Sequence, residues 1–159
     1  MNVIIEVSKK SNLKYEYDKE KKCLILDRVL HNTNVFPYNY GFIPNTLSPD
    51  GDPLDIIILS EFELMPGSIC NIKVIGGIDT SDESGQDDKI ICVLDDKVDQ
   101  QSKYTNDICD VNQSILDNIY YFLSHYKDGE KNKYVKIGDF YNKKKALNII
   151  KKYTIDKKK

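Results

Sequence analysis

Residues 69–94, ICNIKVIGGIDTSDESGQDDKIICVL, decide the fold class. ICNIKVI and KIICVL are strand-length runs rich in β-branched residues, joined by the acidic stretch DTSDESGQDDK (79–89). Working outward, VIIEV (3–7), KYEY (14–17), CLILD (23–27) and IIIL (56–59) have the same character. Pro37, Gly41, Pro44, Gly51, Pro53, Pro66 and Gly67 punctuate the intervals as turns. The period then changes. Within 112–126, Ile115, Ile119, Phe122 and Tyr126 recur three or four residues apart, which predicts an amphipathic helix. A second helix is predicted over 142–153, with Ala146, Leu147, Ile150 and Tyr153 facing inward. Strands followed by helices predict an α+β chain: a small closed or nearly closed β-barrel with helices packed outside, two of them in the C-terminal third. The lysines at 157–159 read as a solvated tail.

The chain has 159 residues, with no repeat and no Gly/Ser- or Pro-rich linker, so one domain over 1–159 is expected. Hydrophobic residues make up 40% and charged residues 30%, with a formal charge of −2. That balance creates no general pull toward nucleic acid or an anionic membrane, and neither is expected as a partner. No apolar run approaches the ~20 residues that cross a bilayer. MNVIIEVSKK has neither the basic start nor the small-residue cleavage site of a secretory signal, so a cytoplasmic location is expected. Cys23, Cys70, Cys92 and Cys109 form no CxxC pair. Reduced, structural and mostly buried thiols are expected rather than zinc or redox chemistry.

Twenty-two lysines accompany a single arginine, Arg28. A guanidinium presents a planar bidentate fork that lysine cannot imitate, which makes Arg28 a candidate anion ligand, although pairing with adjacent Asp27 would also account for it. The densest chemistry lies in 48–59, SPDGDPLDIIIL. Asp50, Asp52 and Asp55 occupy six positions without a basic residue, on a Gly/Pro turn anchored by an apolar strand. Mutually repelling carboxylates are relieved by a cation or by solvent, and hard oxygen ligands suit Mg²⁺ or Mn²⁺ better than zinc. A solvated Asp/Gly/Pro turn gives the same pattern, and charge alone leaves both open. An EF-hand fits poorly, because Leu54 and Asp55 fall where a ligand and the turn glycine belong.

Asp82, Glu83, Asp87 and Asp88 crowd the second acidic stretch, with Lys89 opening the next strand. Alone they read as a polar surface loop. Beside Asp50, Asp52 and Asp55 they could complete a site for several metal ions, the apparatus of phosphoryl transfer to water. Lys14 and Glu16, two apart, share a strand face, and Glu6 lies on the strand before. Tyr40 and Tyr126 read equally as core aromatics or ligands, and His31 and His125 show no metal-ligand spacing.

DGDPLD (50–55) resembles the signature of the soluble family I inorganic pyrophosphatases. The resemblance runs nearly end to end through IIEV, KYEYDKE, LDR, FPYNYGFIPNTLSPDGDPLD, PGS, DESGQDDK and HYKDGEKNKYVK. It implies Mg²⁺-dependent hydrolysis of diphosphate to two phosphates by a metal-activated water, on a five-stranded OB-like barrel with flanking helices. Several Mg²⁺ ions per site are implied, with Mn²⁺ or another divalent ion as a substitute. By position, Asp50, Asp55 and Asp87 would hold the metal pair and Asp52 would be the general base. Asp82 would join Asp87 on metal arriving with substrate, while Glu6 and Glu16 complete the acidic rim and Glu83 occupies another cavity position. Lys14, Arg28, Tyr40, Lys89, Tyr126 and Lys127 would bind phosphate. The family commonly assembles as hexamers, so a homohexamer is implied.

Three departures stand out: Phe36 where Tyr is frequent, Tyr134 where Trp is usual, and Ser8 where Pro is common. None removes a metal ligand or the base, so activity is expected, with an altered affinity from a cavity contact missing at Phe36. A catalytically silent OB-like binding module is the alternative, and it lacks a basic, aromatic-studded face.

Overall fold

The computed structural model describes residues 1–155; the lysine run at 157–159 lies outside them. Nine strands and two helices follow one another: β1 (Asn2–Val7), β2 (Leu13–Asp18), β3 (Cys23–Val29), β4 (Asn39–Phe42), β5 (Asp55–Leu59), β6 (Ile69–Asp82), β7 (Gly85–Gln86), β8 (Lys89–Leu94), α1 (Gln113–His125), β9 (Val135–Asn142) and α2 (Lys143–Tyr153). Strand pairings run β1–β4–β5–β8–β6 and return from β6 to β1, so five strands form a closed circuit. Closure removes the exposed edges of an open sheet. β2 and β3 form a separate antiparallel hairpin beside the circuit, and β9 extends the sheet along β6.

The pairing of β5 with β8 is parallel, in register Asp55↔Lys89 through Leu59↔Val93. All six residues of β8 are buried. Both faces are covered, which is why these strands read as unbroken apolar runs. Ile56, Ile58, Ile90 and Cys92 face one core, roofed by Ala146 and Ile150 of α2. Ile57, Ile91 and Val93 face the other, packed against Leu116, Ile119, Phe122 and Leu123 of α1. Asn112 and Asn142 cap the two helices, each side chain accepting a backbone N–H at 3.0 Å.

Several expectations are corrected. β4 and β9 were not legible as strands. The stretch 79–89 is not a long loop, because β6 runs 14 residues through Asp82 and a tight hairpin follows. Leu147 is 42% exposed rather than inward, since α2 buries a narrower stripe through Ala146 and Ile150. Only Cys92 of the four free thiols is fully buried, while Cys23 and Cys109 are exposed. Among the described residues no helix is long and apolar enough to cross a membrane.

Candidate active site

A cavity of about 420 Å³ opens where the hairpin β2–β3 leans over the starts of β5 and β8. All fourteen residues to which the resemblance gives a site role line it. β1 contributes Glu6, β2 Lys14 and Glu16, β3 Arg28, β4 Tyr40, and the turn before β5 contributes Asp50 and Asp52. Asp55 opens β5 and Lys89 opens β8; Asp82, Glu83 and Asp87 come from the end of β6 and the hairpin beyond it. Tyr126 and Lys127 follow directly on α1.

Parallel register puts Asp55 beside Lys89, and the Lys89 ammonium lies 2.5 Å from Asp55 Oδ2 and 2.6 Å from Asp87 Oδ2. Burial alone would lower the Lys89 pKa, but Asp55 and Asp87 outweigh it and raise it above the ordinary lysine value. The Tyr40 hydroxyl donates to Asp55 Oδ2 at 2.5 Å, and burial followed by the Asp55 charge keeps that phenol protonated. Lys127 donates to Asp82 Oδ2 at 2.7 Å and lies 3.8 Å from Glu83. Burial pushes Asp82 up, yet Lys127 and the Ser84 N–H overcome it and hold the carboxyl below its usual value. Lys14 pairs with Glu16 on the same face of β2 and stands 3.5 Å from Asp27.

Glu6 accepts the Tyr17 N–H at 2.7 Å, but burial dominates and pushes its carboxyl up to about 7. Burial likewise raises Asp50, which accepts the Asp52 N–H at 3.1 Å. Gly51 makes this turn possible: its φ of +93° is a conformation that other residues adopt only under strain. Asp52 is exposed, with its carboxylate toward the open cavity.

Nine carboxylates and five cations line the cavity. Its donors are oxygens, and their negative excess in a half-enclosed space fits hard divalent cations. Among the described residues no three acidic, His or Cys side chains converge as a ready metal cage. The lysines fill the gaps instead, so Asp55 and Asp87 would exchange Lys89 for a metal partner.

Asp88, read with the second acidic group, points away from the cavity toward Gln86 and Tyr141, while Asp87, beside it on the short link between β7 and β8, faces Lys89. Phe36 is 1% exposed and outside the cavity lining, its ring centroid 5.3 Å from Tyr40 and 4.7 Å from Phe122, so it backs Tyr40. Ser8 has a use of its own, donating its hydroxyl to Leu64 O at 2.5 Å. Asp27 and Lys133 line the cavity as well. Asp27 was legible only as a neighbour of Arg28, and Lys133 carried no signal beyond its place in the HYKDGEKNKYVK block.

A nearly closed, twisted sheet bearing a polar cavity of carboxylates and cations suits a hydrolase acting on a compact polyanion. The model of the inorganic pyrophosphatase family matches residues 3–158, and the chain belongs to that family, a hydrolase of inorganic pyrophosphate. It is 45% identical over 150 residues to the inorganic pyrophosphatase of Helicobacter pylori, covering 94% of this chain and 87% of the relative. Identity to the inorganic pyrophosphatase of Saccharolobus solfataricus is 45% over 159 residues, covering 100% and 92%. The solved structure of the Helicobacter pylori enzyme superposes with a TM-score of 0.95 at 44% identity, covering 97% of this chain and 91% of that one.

Proposed function

We propose that the chain acts as one domain that hydrolyses Mg²⁺-complexed diphosphate in the cytoplasm, with Asp52 as general base. The observation that carries this reading is the single cavity in which the fourteen residues meet at an excess of carboxylates over cations. Bound divalent cations, Mg²⁺ or in its place Mn²⁺, would neutralise substrate charge and acidify the attacking water. Asp50, Asp55, Asp82, Asp87, Glu6 and Glu16 would hold them. Asp52, exposed and unencumbered, takes the proton from the attacking water.

Lys14, Arg28, Lys89 and Lys127 hold phosphate oxygens and offset the charge that develops on the leaving phosphate. Tyr40 and Tyr126, both with pKa values raised by burial, remain protonated and serve as neutral donors. Glu83 keeps Lys127 facing the cavity from 3.8 Å. β1, β4, β5 and β8 carry Glu6, Tyr40, Asp55 and Lys89, and strands fix such groups more tightly than free loops could. Assembly as a homohexamer belongs to the same proposal, and light scattering that returned a monomer would remove it.

The test is phosphate release from diphosphate at neutral pH with and without Mg²⁺, with ATP as competitor. Fast release that requires Mg²⁺ and spares ATP supports the reading. Folded protein that releases nothing overturns it.

A further inference from the structure

One buried carboxylate has no part in the site as described. Glu130, in the turn after α1, keeps only 8% of its side chain exposed and lies outside the cavity lining. Its Oε1 is 2.9 Å from Arg28 Nε and its Oε2 is 3.4 Å from Lys133 Nζ. The Arg28 spacing suits a hydrogen bond but the direction does not, and Nε and both carboxylate oxygens are buried without a hydrogen-bond partner. Arg28 and Lys133 themselves line the cavity. Glu130 reaches this place because its N–H donates to Lys127 O at 3.1 Å across a turn shaped by Gly129, whose φ is +87°.

A buried ion pair whose hydrogen-bonding capacity is unused is a poor means of stabilising a fold, since apolar residues of similar volume serve as well or better. What this pair does is set a negative charge against the Nε edge of the guanidinium, 2.9 Å away. The Nη nitrogens stay available at the cavity, where Nη1 stands 3.6 Å from Asp27. A fork held in place loses less freedom on binding phosphate than a free one.

We infer that Glu130 is a positioning residue for diphosphate binding, acting through Arg28. This rests on the phosphate-binding role proposed for Arg28. The test is a double-mutant cycle on diphosphate hydrolysis, with Glu130→Gln, Arg28→Ala and both together, each followed by thermal unfolding. Glu130→Gln is expected to raise KM about tenfold, the scale of one lost charge-assisted contact, and to change kcat less than about threefold. In the Arg28→Ala background it should add less than about twofold. Glu130→Asp, keeping the charge at shorter reach, should restore part of the wild-type KM.

An unchanged KM in Glu130→Gln, or effects that multiply in the double variant, overturns the inference. If Glu130→Gln does not fold, Glu130→Asp replaces it in the cycle, with a raised KM that vanishes beside Arg28→Ala supporting the inference and an unchanged one refuting it. Wild-type protein that releases no phosphate defeats the proposed function, and this inference with it. Active wild type with a raised KM in Arg28→Ala but not in Glu130→Gln defeats this inference alone.

Discussion

Asp52 and Asp55 stand three residues apart and differ in their physical surroundings. Asp55 accepts from Tyr40 and from the buried Lys89, whereas Asp52 is exposed at the cavity. Asp52→Asn should therefore lower kcat by about 10²–10⁴-fold and alter the acid limb of the pH–rate profile, leaving stability within about 0.5 kcal/mol. Steady-state kinetics and denaturant unfolding check both halves, and an unchanged kcat removes Asp52 as the base. Asp55→Asn should weaken metal affinity and turnover together, and cost on the order of 1–3 kcal/mol, because Lys89 keeps only Asp87 as a charged partner. Metal titration of the folded variant separates it from Asp52→Asn. Three carboxylates on one Gly/Pro turn made both candidates without tertiary knowledge, and the family resemblance assigned them different roles. Glu130 is different: a lone Glu among lysines gives no local sign that folding will bury it behind Arg28.

At the scale of elements, β4 shows why one strand escaped the sequence. NYGF looks like turn material, with Gly41 at its middle and prolines on either side. Yet an added Cβ at Gly41 would lie 2.0 Å from the Ile4 carbonyl oxygen of β1. The glycine is there for close strand approach, not for a turn. Gly41→Ala should destabilise by more than about 3 kcal/mol, because the obstructing atom is backbone and cannot move aside. Gly51→Ala meets nothing within 4 Å and should cost only the left-handed backbone strain, about 1–2 kcal/mol. Denaturant midpoints of the two variants measure the difference, and equal losses would refute the close-approach argument. β9 escaped for a related reason: its neighbour is β6, more than fifty residues earlier in sequence, and no local pattern announces such a pairing.

For the whole molecule, the cavity's charge excess links stability to pH and to metal. Burial raises the Glu6 carboxyl from 4.5 to about 7, so ionising it costs the folded state. The penalty is absent below the unfolded value and complete above about 7. Metal-free protein should therefore lose a few degrees of Tm between pH ~5 and ~8, and Mg²⁺ at pH ~8 should restore more than it does at pH ~5. Calorimetry with and without chelator measures it, and a Tm that rises over that range contradicts it. Thiol labelling is a second whole-molecule test. Cys23 and Cys109 should react rapidly in the folded protein, while Cys92, buried against β5, should react only on unfolding. By itself the sequence determined the α+β class and both helices to within a residue or so, because side-chain period is a local property of the chain. The fourteen cavity residues were legible through its resemblance to the pyrophosphatase family, carried by motifs in a fixed order. Only the tertiary structure decided that five strands close on one another, that Asp88 turns from the cavity while Asp87 enters it, that Phe36 backs Tyr40, and that Glu130 lies behind Arg28. Those facts depend on which distant segments meet, and strand pairing across tens of residues is set by global packing rather than by any local pattern.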